Sequence, residues 1–435
     1  MKKIILLLLI SGSAWAQQTT KSKNNIEDFI LIEKVEDQEK YYNEMLQELS
    51  PEKKSPAATN EYRGELAYGW LAKGNVERYK YYKTTAPKFT ARQFLYLCNA
   101  LEYLFDNKQQ YAAVEQISGE ILNEFEKGTQ KDPIGRTEIL IELNAAANAK
   151  LGKVDIARKM MAKLSGVKES TRNMKYFKDS KSNYYNRYAI VMSAAGQHQI
   201  AFDTLTRAFR EADSHPNMVG TFREVYKKVK GTEKGFDAYI KNLQNEAYQK
   251  YYREVEVSYL PEAKTVMEGV VPAFNDSTKM ITFFHAKKPV KEISLQNLDG
   301  KMVNLGDYQG KILVVDFWST LCTPCVAAFS GFERVVKDYK NDPFQLFVIN
   351  LFENQPTVKS YIAKKGITLD VLRDEENTAY DVQGTPTKIV FDPMGNIRFY
   401  GVGYAGSTDR EYYKLKAMIE ITKARAAATT SVINK

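Results

Sequence analysis

Good helix formers dominate the chain from about Asn25 to Tyr252, and proline and glycine punctuate them at intervals. Four stretches share one design: an apolar helix, a Gly or Asn turn, then a second helix with alanines and aromatics. They are YGWLAKGNVERYKYY, CNALEYLFDNKQQYAAVEQI, NAAANAKLGKVDIARKMMAKL and YAIVMSAAGQHQIAFDTLTRAF. The turns fall at Gly74-Asn75, Asp106 to Lys108, Gly152 and Gly196. Their spacings of 33, 45 and 44 residues lie in the range of helix-turn-helix repeats. Ala146, Ala149, Ala157 and Ala201, with Ala113 in a comparable place, sit where two helices must approach closely.

Around residues 250–275 the texture changes. Pro261, Pro272 and Pro289 appear, and β-branched runs alternate with turns. KEISLQNLDGKMVNL predicts two short strands joined at Asp299-Gly300. Lys311 to Trp318 (KILVVDFW) predicts a buried central strand interrupted by one acid, Asp316. A helix follows to about Tyr339, then a strand over 344–350, a helix over 356–365, strands over 388–392 and 397–402, and a closing helix over 409–425. Strands alternating with helices predict an α/β domain. The expected organisation is an α-helical domain over 25–252, a linker over 253–271 and an α/β domain over 272–425.

Met1-Lys2-Lys3, the apolar run Ile4 to Ile10 and the small residues of Ala14-Trp15-Ala16 predict a signal peptide over 1–16, cleaved after Ala16. In a bacterial setting the mature chain is expected in the periplasm, where thiols can cycle. No apolar run approaches the roughly 20 residues of a spanning helix, so no membrane span is expected in the mature protein. Three cysteines in 435 residues exclude a disulfide-dense scaffold. The net charge of +9 comes without a long basic block, which argues against nucleic-acid binding. Cys98, alone in an apolar helix, reads as a buried small hydrophobe. Twenty of the 28 tyrosines precede residue 260; most are expected to pack between helices rather than line a peptide groove.

The chemistry concentrates in Phe317-Trp318, the Cys322-Thr323-Pro324-Cys325 motif and Gly384-Thr385-Pro386, whose proline lies 61 residues after the second cysteine. This strand, CxxC helix and TP dipeptide, preceded by the short hairpin, resemble the thioredoxin superfamily. The likeness is strongest to the secreted TlpA-like or ResA-like thiol-disulfide oxidoreductases, over about residues 272–425. The helical half resembles tetratricopeptide repeats in its small and aromatic positions, which implies a surface for protein segments.

Cys322 falls at a helix start, where orphan N–H groups and the helix dipole favour a thiolate. Cys325 lies one turn on, able to resolve a mixed disulfide held by Cys322. Pro324 is tolerated in the first turn. By the resemblance Asp316 is a buried acid that exchanges protons with Cys325, and Thr385-Pro386 is a cis-proline loop facing the CxxC pair. The resemblance also implies that Thr385 pairs with an extended substrate and that Trp318, Thr323 and Pro324 flank the same groove. The pattern departs from the TlpA-like family at Ala328, where an acid is common, at Leu321, usually Trp, and at Phe329-Ser330. These departures bear on specificity and on how the thiol is tuned.

Other chemistries are weaker. Gly401 to Gly406 matches GxGxxG, but the chain ends 29 residues later without a second parallel strand. A zinc site needs more ligands. Copper delivery needs a histidine, and none follows His285. Haem attachment needs CxxCH, and Val326 follows Cys325. A redox pair also disfavours a single peroxidatic cysteine. The expectation is an exported protein-disulfide oxidoreductase, using a Cys322–Cys325 disulfide with no metal or other cofactor. Its helical arm binds partners, its substrates are protein thiols and disulfides, and a membrane relay donates electrons. The rival is a protein-binding scaffold whose redox pair is a sensor or vestigial.

Overall fold

The computed structural model describes residues 25–85, 88–166, 178–273 and 276–433. The expected signal peptide lies outside them. The first half is all-helical: α1 (Ile26–Leu31), α2 (Val35–Glu48), α3 (Asn60–Ala72), α4 (Val76–Thr85), α5 (Ala91–Asp106), α6 (Tyr111–Glu126), α7 (Thr137–Lys150), α8 (Val154–Ala162), α9 (Ser180–Ala194), α10 (His198–Arg210), α11 (Met218–Lys230) and α12 (Phe236–Glu256).

The glycine turns explain the recurrent hairpins. Gly74, Gly152 and Gly196 have φ of 85°, 78° and 78°, in the left-handed region that a side chain disfavours. Each donates its N–H three residues back, to Leu71, Ala149 and Ser193, and the next residue donates five back, to Trp70, Asn148 and Met192. This closes one helix and reverses the chain into the next. Ala146, Ala157 and Ala201 are fully buried, as close helix approach requires. Thr90 and Gln93 form a reciprocal cap at the start of α5.

The second half opens with a bulged hairpin, β1 (Met267–Ala273) and β2 (Asp276–Ala286). A mixed seven-stranded sheet follows. It is built from β3 (Ser294–Asn297), β4 (Met302–Asn304), β5 (Ile312–Trp318), β6 (Phe344–Leu351), β7 (Asp370–Asp374), β8 (Thr387–Phe391) and β9 (Ile397–Val402), in the order β4-β3-β7-β6-β5-β8-β9. Strands β5, β6 and β7 run parallel, and β8 and β9 antiparallel beside β5. Helices α13 (Thr323–Asp338), α14 (Gln355–Lys365) and α15 (Thr408–Ile433) complete it. Three strands were not anticipated from the sequence: β1 and β2 of the hairpin, and β7.

Alternation along β5 decides what each sheet face holds. Ile312, Val314 and Trp318 join the core under α13 and α15; Leu313, Val315 and Phe317 join the opposite core with β2. Asp316 therefore points to the α13 side.

The segment between the halves is pinned. Leu260 N–H donates to the Arg398 carbonyl, and the Arg398 guanidinium returns bonds to the carbonyls of Leu260 and Pro261. The helical half is also fastened to the first turn of α15. Thr408 donates twice to Asp179, Ser214 to Asp409, and Arg410 pairs with Asp213. At the far end, Lys364 on α14 donates to the Ile30 carbonyl in the last turn of α1.

Candidate redox site

Cys322 caps α13 and Pro324 occupies its first turn, where a missing N–H leaves no hydrogen bond unmade. The Cys325 and Val326 N–H groups donate back to the Cys322 carbonyl at 3.1 and 3.2 Å. Cys322 and Cys325 are joined by a disulfide with 5.3 Å between their Cα atoms. Cys322 is half-buried and Cys325 fully buried, so only the first sulfur faces outward from the helix end.

The loop holding Cys322 is fixed from β6. Glu353 accepts from the Thr320 N–H at 2.8 Å, from the Thr320 hydroxyl, and from Asn350 Nδ2 at 2.7 Å. Nothing in the sequence distinguished Glu353. Leu321 and Phe352, one in each tied loop, are 86% and 66% exposed, giving the site an apolar rim.

The Thr385-Pro386 bond is cis. Phe317 pairs with Thr387 across β5 and β8, so the C-terminal end of β5 and the chain entering β8 share one sheet edge. That places Thr385-Pro386 on the same edge as the CxxC loop. The β1–β2 hairpin supports this loop from behind: His285 N–H donates to the Tyr380 carbonyl and Gln383 N–H to the Phe283 carbonyl. A Cβ at Gly384 would lie 2.7 Å from the Phe283 ring, so a side chain there would have to push that ring aside.

Asp316 is 1% exposed, and one of its carboxylate oxygens is buried without a hydrogen-bond partner. Burial pushes its pKa up to about 8; Lys388 pulls the other way and Glu411 adds to the rise. The carboxyl is therefore largely protonated at neutral pH. Asp316 lies on the same sheet face as Cys325.

The expectation that Trp318 flanks an open groove is corrected. The alternation that turns Asp316 inward also turns Trp318 inward; it is 0% exposed and packs on Phe329 and Tyr361. Thr323, Pro324 and Thr385 are each half-buried.

A cavity of about 560 Å³ separates the helical half from α13 and α14. Its walls include Tyr96, Glu102 and Tyr103 on one side and Thr320, Thr323 and Tyr361 on the other. Thr320 and Thr323 bracket Cys322 in sequence, so the cavity runs up to the redox motif.

Residues 286–400, which contain the CxxC motif, the cis proline and Asp316, match the AhpC/TSA family. They form a thioredoxin-like domain. The thiol-disulfide oxidoreductase ResA of Bacillus subtilis (strain 168) is 28% identical over 106 residues, covering 24% of this chain and 59% of that protein. The thioredoxin-like protein YneN of the same organism is 28% identical over 117 residues, covering 26% of this chain and 68% of that protein. The chain thus spans about three fifths of the ResA relatives' length. A solved thiol:disulfide interchange protein from Chlorobium tepidum TLS is 27% identical. It covers 30% of this chain and 96% of its own length, with a TM-score of 0.27.

The helical half lies outside the residues that match the AhpC/TSA family. Among the described residues, no group of three or more His, Cys, Asp or Glu side chains could hold a metal, and no helix is long and apolar enough to cross a membrane.

Proposed function

We propose that the chain is a protein-disulfide oxidoreductase that cycles Cys322 and Cys325 between dithiol and disulfide. The observation that carries this reading is the pairing of a half-exposed, helix-capping Cys322 with a fully buried Cys325 one turn on, joined as a disulfide. In the reduced form the first-turn N–H groups of α13 stabilise the Cys322 thiolate. It attacks one sulfur of a client disulfide, forming a mixed disulfide and releasing a client thiolate. Cys325, its proton passed to the ionised form of Asp316, attacks the Cys322 sulfur. The second client thiolate leaves and the Cys322–Cys325 disulfide forms, so two electrons have passed to the client. An external dithiol donor, a membrane relay, reduces the pair again.

The client docks as an extended segment against Thr385 and the Leu321–Phe352 rim, in the manner of strand addition. The helical half supplies the facing wall through Tyr96 and Tyr103. Cleavage after Ala16 and a periplasmic address complete the reading, since oxidising compartments are where such cycling is used.

Equilibration of the purified protein against thiol/disulfide buffers, paired with insulin reduction, tests the reading. Reversible two-electron cycling with turnover is expected. Cycling without turnover, together with peptide binding by the helical half, would instead support a scaffold with a sensor pair.

A further inference from the structure

We propose that the Lys388–Glu411 ion pair is a positioning device for Asp316, and that the first turn of α15 ties this pair to the helical half. The proposal rests on the redox reading above and names residues that the reading did not use.

Lys388 stands directly across from Asp316 in the antiparallel β5–β8 register. Directly opposed residues share a sheet face, so both side chains enter the space beneath α13. The Lys388 ammonium crosses the Phe332 ring at 4.4 Å and ends on the Glu411 carboxylate of α15. Both partners are nearly inaccessible, with side chains 11% and 3% exposed. Glu411 also accepts from the Ala405 N–H at 3.0 Å. A Cβ at Gly331 would sit 2.9 Å from the Glu411 Cβ, so α13 comes this close to α15 only because residue 331 is glycine.

The groups around Asp316 divide by element. Strand β6 offers the apolar Val348, α13 offers Cys325, β8 offers Lys388 and α15 offers Glu411. Alone in this low-dielectric space, the Lys388 ammonium would ionise Asp316. Glu411 occupies that ammonium and leaves the Asp316 carboxyl able to keep its proton. In its ionised form, in equilibrium with the protonated one near neutral pH, a carboxyl of raised pKa is the stronger base: it takes the Cys325 proton when the mixed disulfide resolves and releases it afterwards.

The helical half holds the same turn. Thr408, Asp409 and Arg410, the three residues before Glu411, bond in succession to Asp179, Ser214 and Asp213. Arg334 of α13 also pairs with Asp409, which links the redox helix to this anchor. Docking of the helical half therefore fixes where Glu411, and through it Lys388, stands relative to Asp316.

The test uses the full chain in its reduced state. The infrared carbonyl band of protonated Asp316, identified by its loss in Asp316→Asn, is followed against pH. Lys388→Met should move the titration midpoint up, and Glu411→Gln should move it down, each by about one pH unit. Lys388→Arg should restore the wild-type midpoint. Asp179→Ala, which loosens the anchor, should also displace it. Should Lys388→Met fail to fold, by near-ultraviolet circular dichroism, the Glu411→Gln and Lys388→Arg pair decides alone. Midpoints that stay put, or that move the same way for opposite charge changes, overturn the proposal. An Asp179→Ala midpoint identical to wild type overturns the tie to the helical half. If the protein passes no electrons, the redox reading fails, while the infrared titration still reports on the Lys388–Glu411 pair.

Discussion

Asp179 accepts hydrogen bonds from both the backbone N–H and the hydroxyl of Thr408, at 2.6 and 2.7 Å, across 229 positions of sequence. Both residues are buried, so the carboxylate is desolvated and its compensation comes from the other half of the chain. The helical half is therefore a fixed wall beside the redox motif rather than a loose arm.

Removing that carboxylate leaves the Thr408 donors buried and unpaired. Asp179→Ala is expected to destabilise the protein by about 1–3 kcal/mol. Thermal unfolding followed by circular dichroism checks this, and an unchanged Tm would show that the two halves are held elsewhere.

The two sulfurs differ in access, and their variants should differ accordingly. Cys325→Ala is expected to accumulate mixed disulfides on Cys322, visible on non-reducing gels and identifiable by mass spectrometry. Cys322→Ala should accumulate few, because the remaining thiol is fully buried. Equal trapping by both variants would reverse the assigned roles.

Asp316 gives a pH signature to stability. In the folded chain it holds its proton up to about pH 8, whereas an aspartate in the unfolded chain ionises near pH 4. Over that window the folded state binds more protons, so this group's contribution to stability falls as pH rises from about 4 to 8. Asp316→Asn lacks that slope. It is expected to match wild type near pH 4 and to exceed it by about 2–5 kcal/mol at pH 8. Urea melts at both pH values measure the difference. The same variant should slow release of the trapped client more than its capture, a split that stopped-flow kinetics resolves; equal slowing of both steps would remove the proton-handling role.

Cys98 lies fully inside the helical core, and burial pushes its thiol pKa far up. In native protein it should resist iodoacetamide while reduced Cys322 reacts, and it should label only after unfolding. Cys98→Ala is expected to retain the redox midpoint of the wild type. Labelling of Cys98 under native conditions would contradict its placement.

The cavity wall makes a separate prediction. Tyr96→Ala with Tyr103→Ala should lower turnover of a folded disulfide client about tenfold. Reduction of a small aromatic disulfide, which needs no wall, should be nearly unchanged. Parallel losses for both substrates would mean that the helical half acts only on stability.

Local chemistry made much of this legible from sequence. The glycines at 74, 152 and 196 mark helix turns because a left-handed backbone excludes most side chains there. The unbroken apolar run of β5 announced a central strand, and its one acid announced a buried carboxyl. Cys322 and Cys325 were readable because three residues of spacing on a helix start bring two sulfurs together.

Relations between distant segments were not legible. Trp318 looked like a groove residue until strand parity, set by which face α13 covers, placed it inside. Lys388 carried the same signal as Asp316, a lone charge in an apolar strand, but its partner Glu411 lies on another element and only packing pairs them. Glu353 is an ordinary loop acid until the end of β6 carries it to Thr320.

The sequence by itself determined the redox motif, the helical turns and the strand that carries Asp316, because each depends on the conformational preferences of neighbouring residues. Only the tertiary structure decided what stands against them: the helical half beside Thr323, the ion pair beneath α13, and the hairpin behind the cis proline. Those contacts join residues tens to hundreds of positions apart. They follow from the packing of whole elements, which no local spacing encodes.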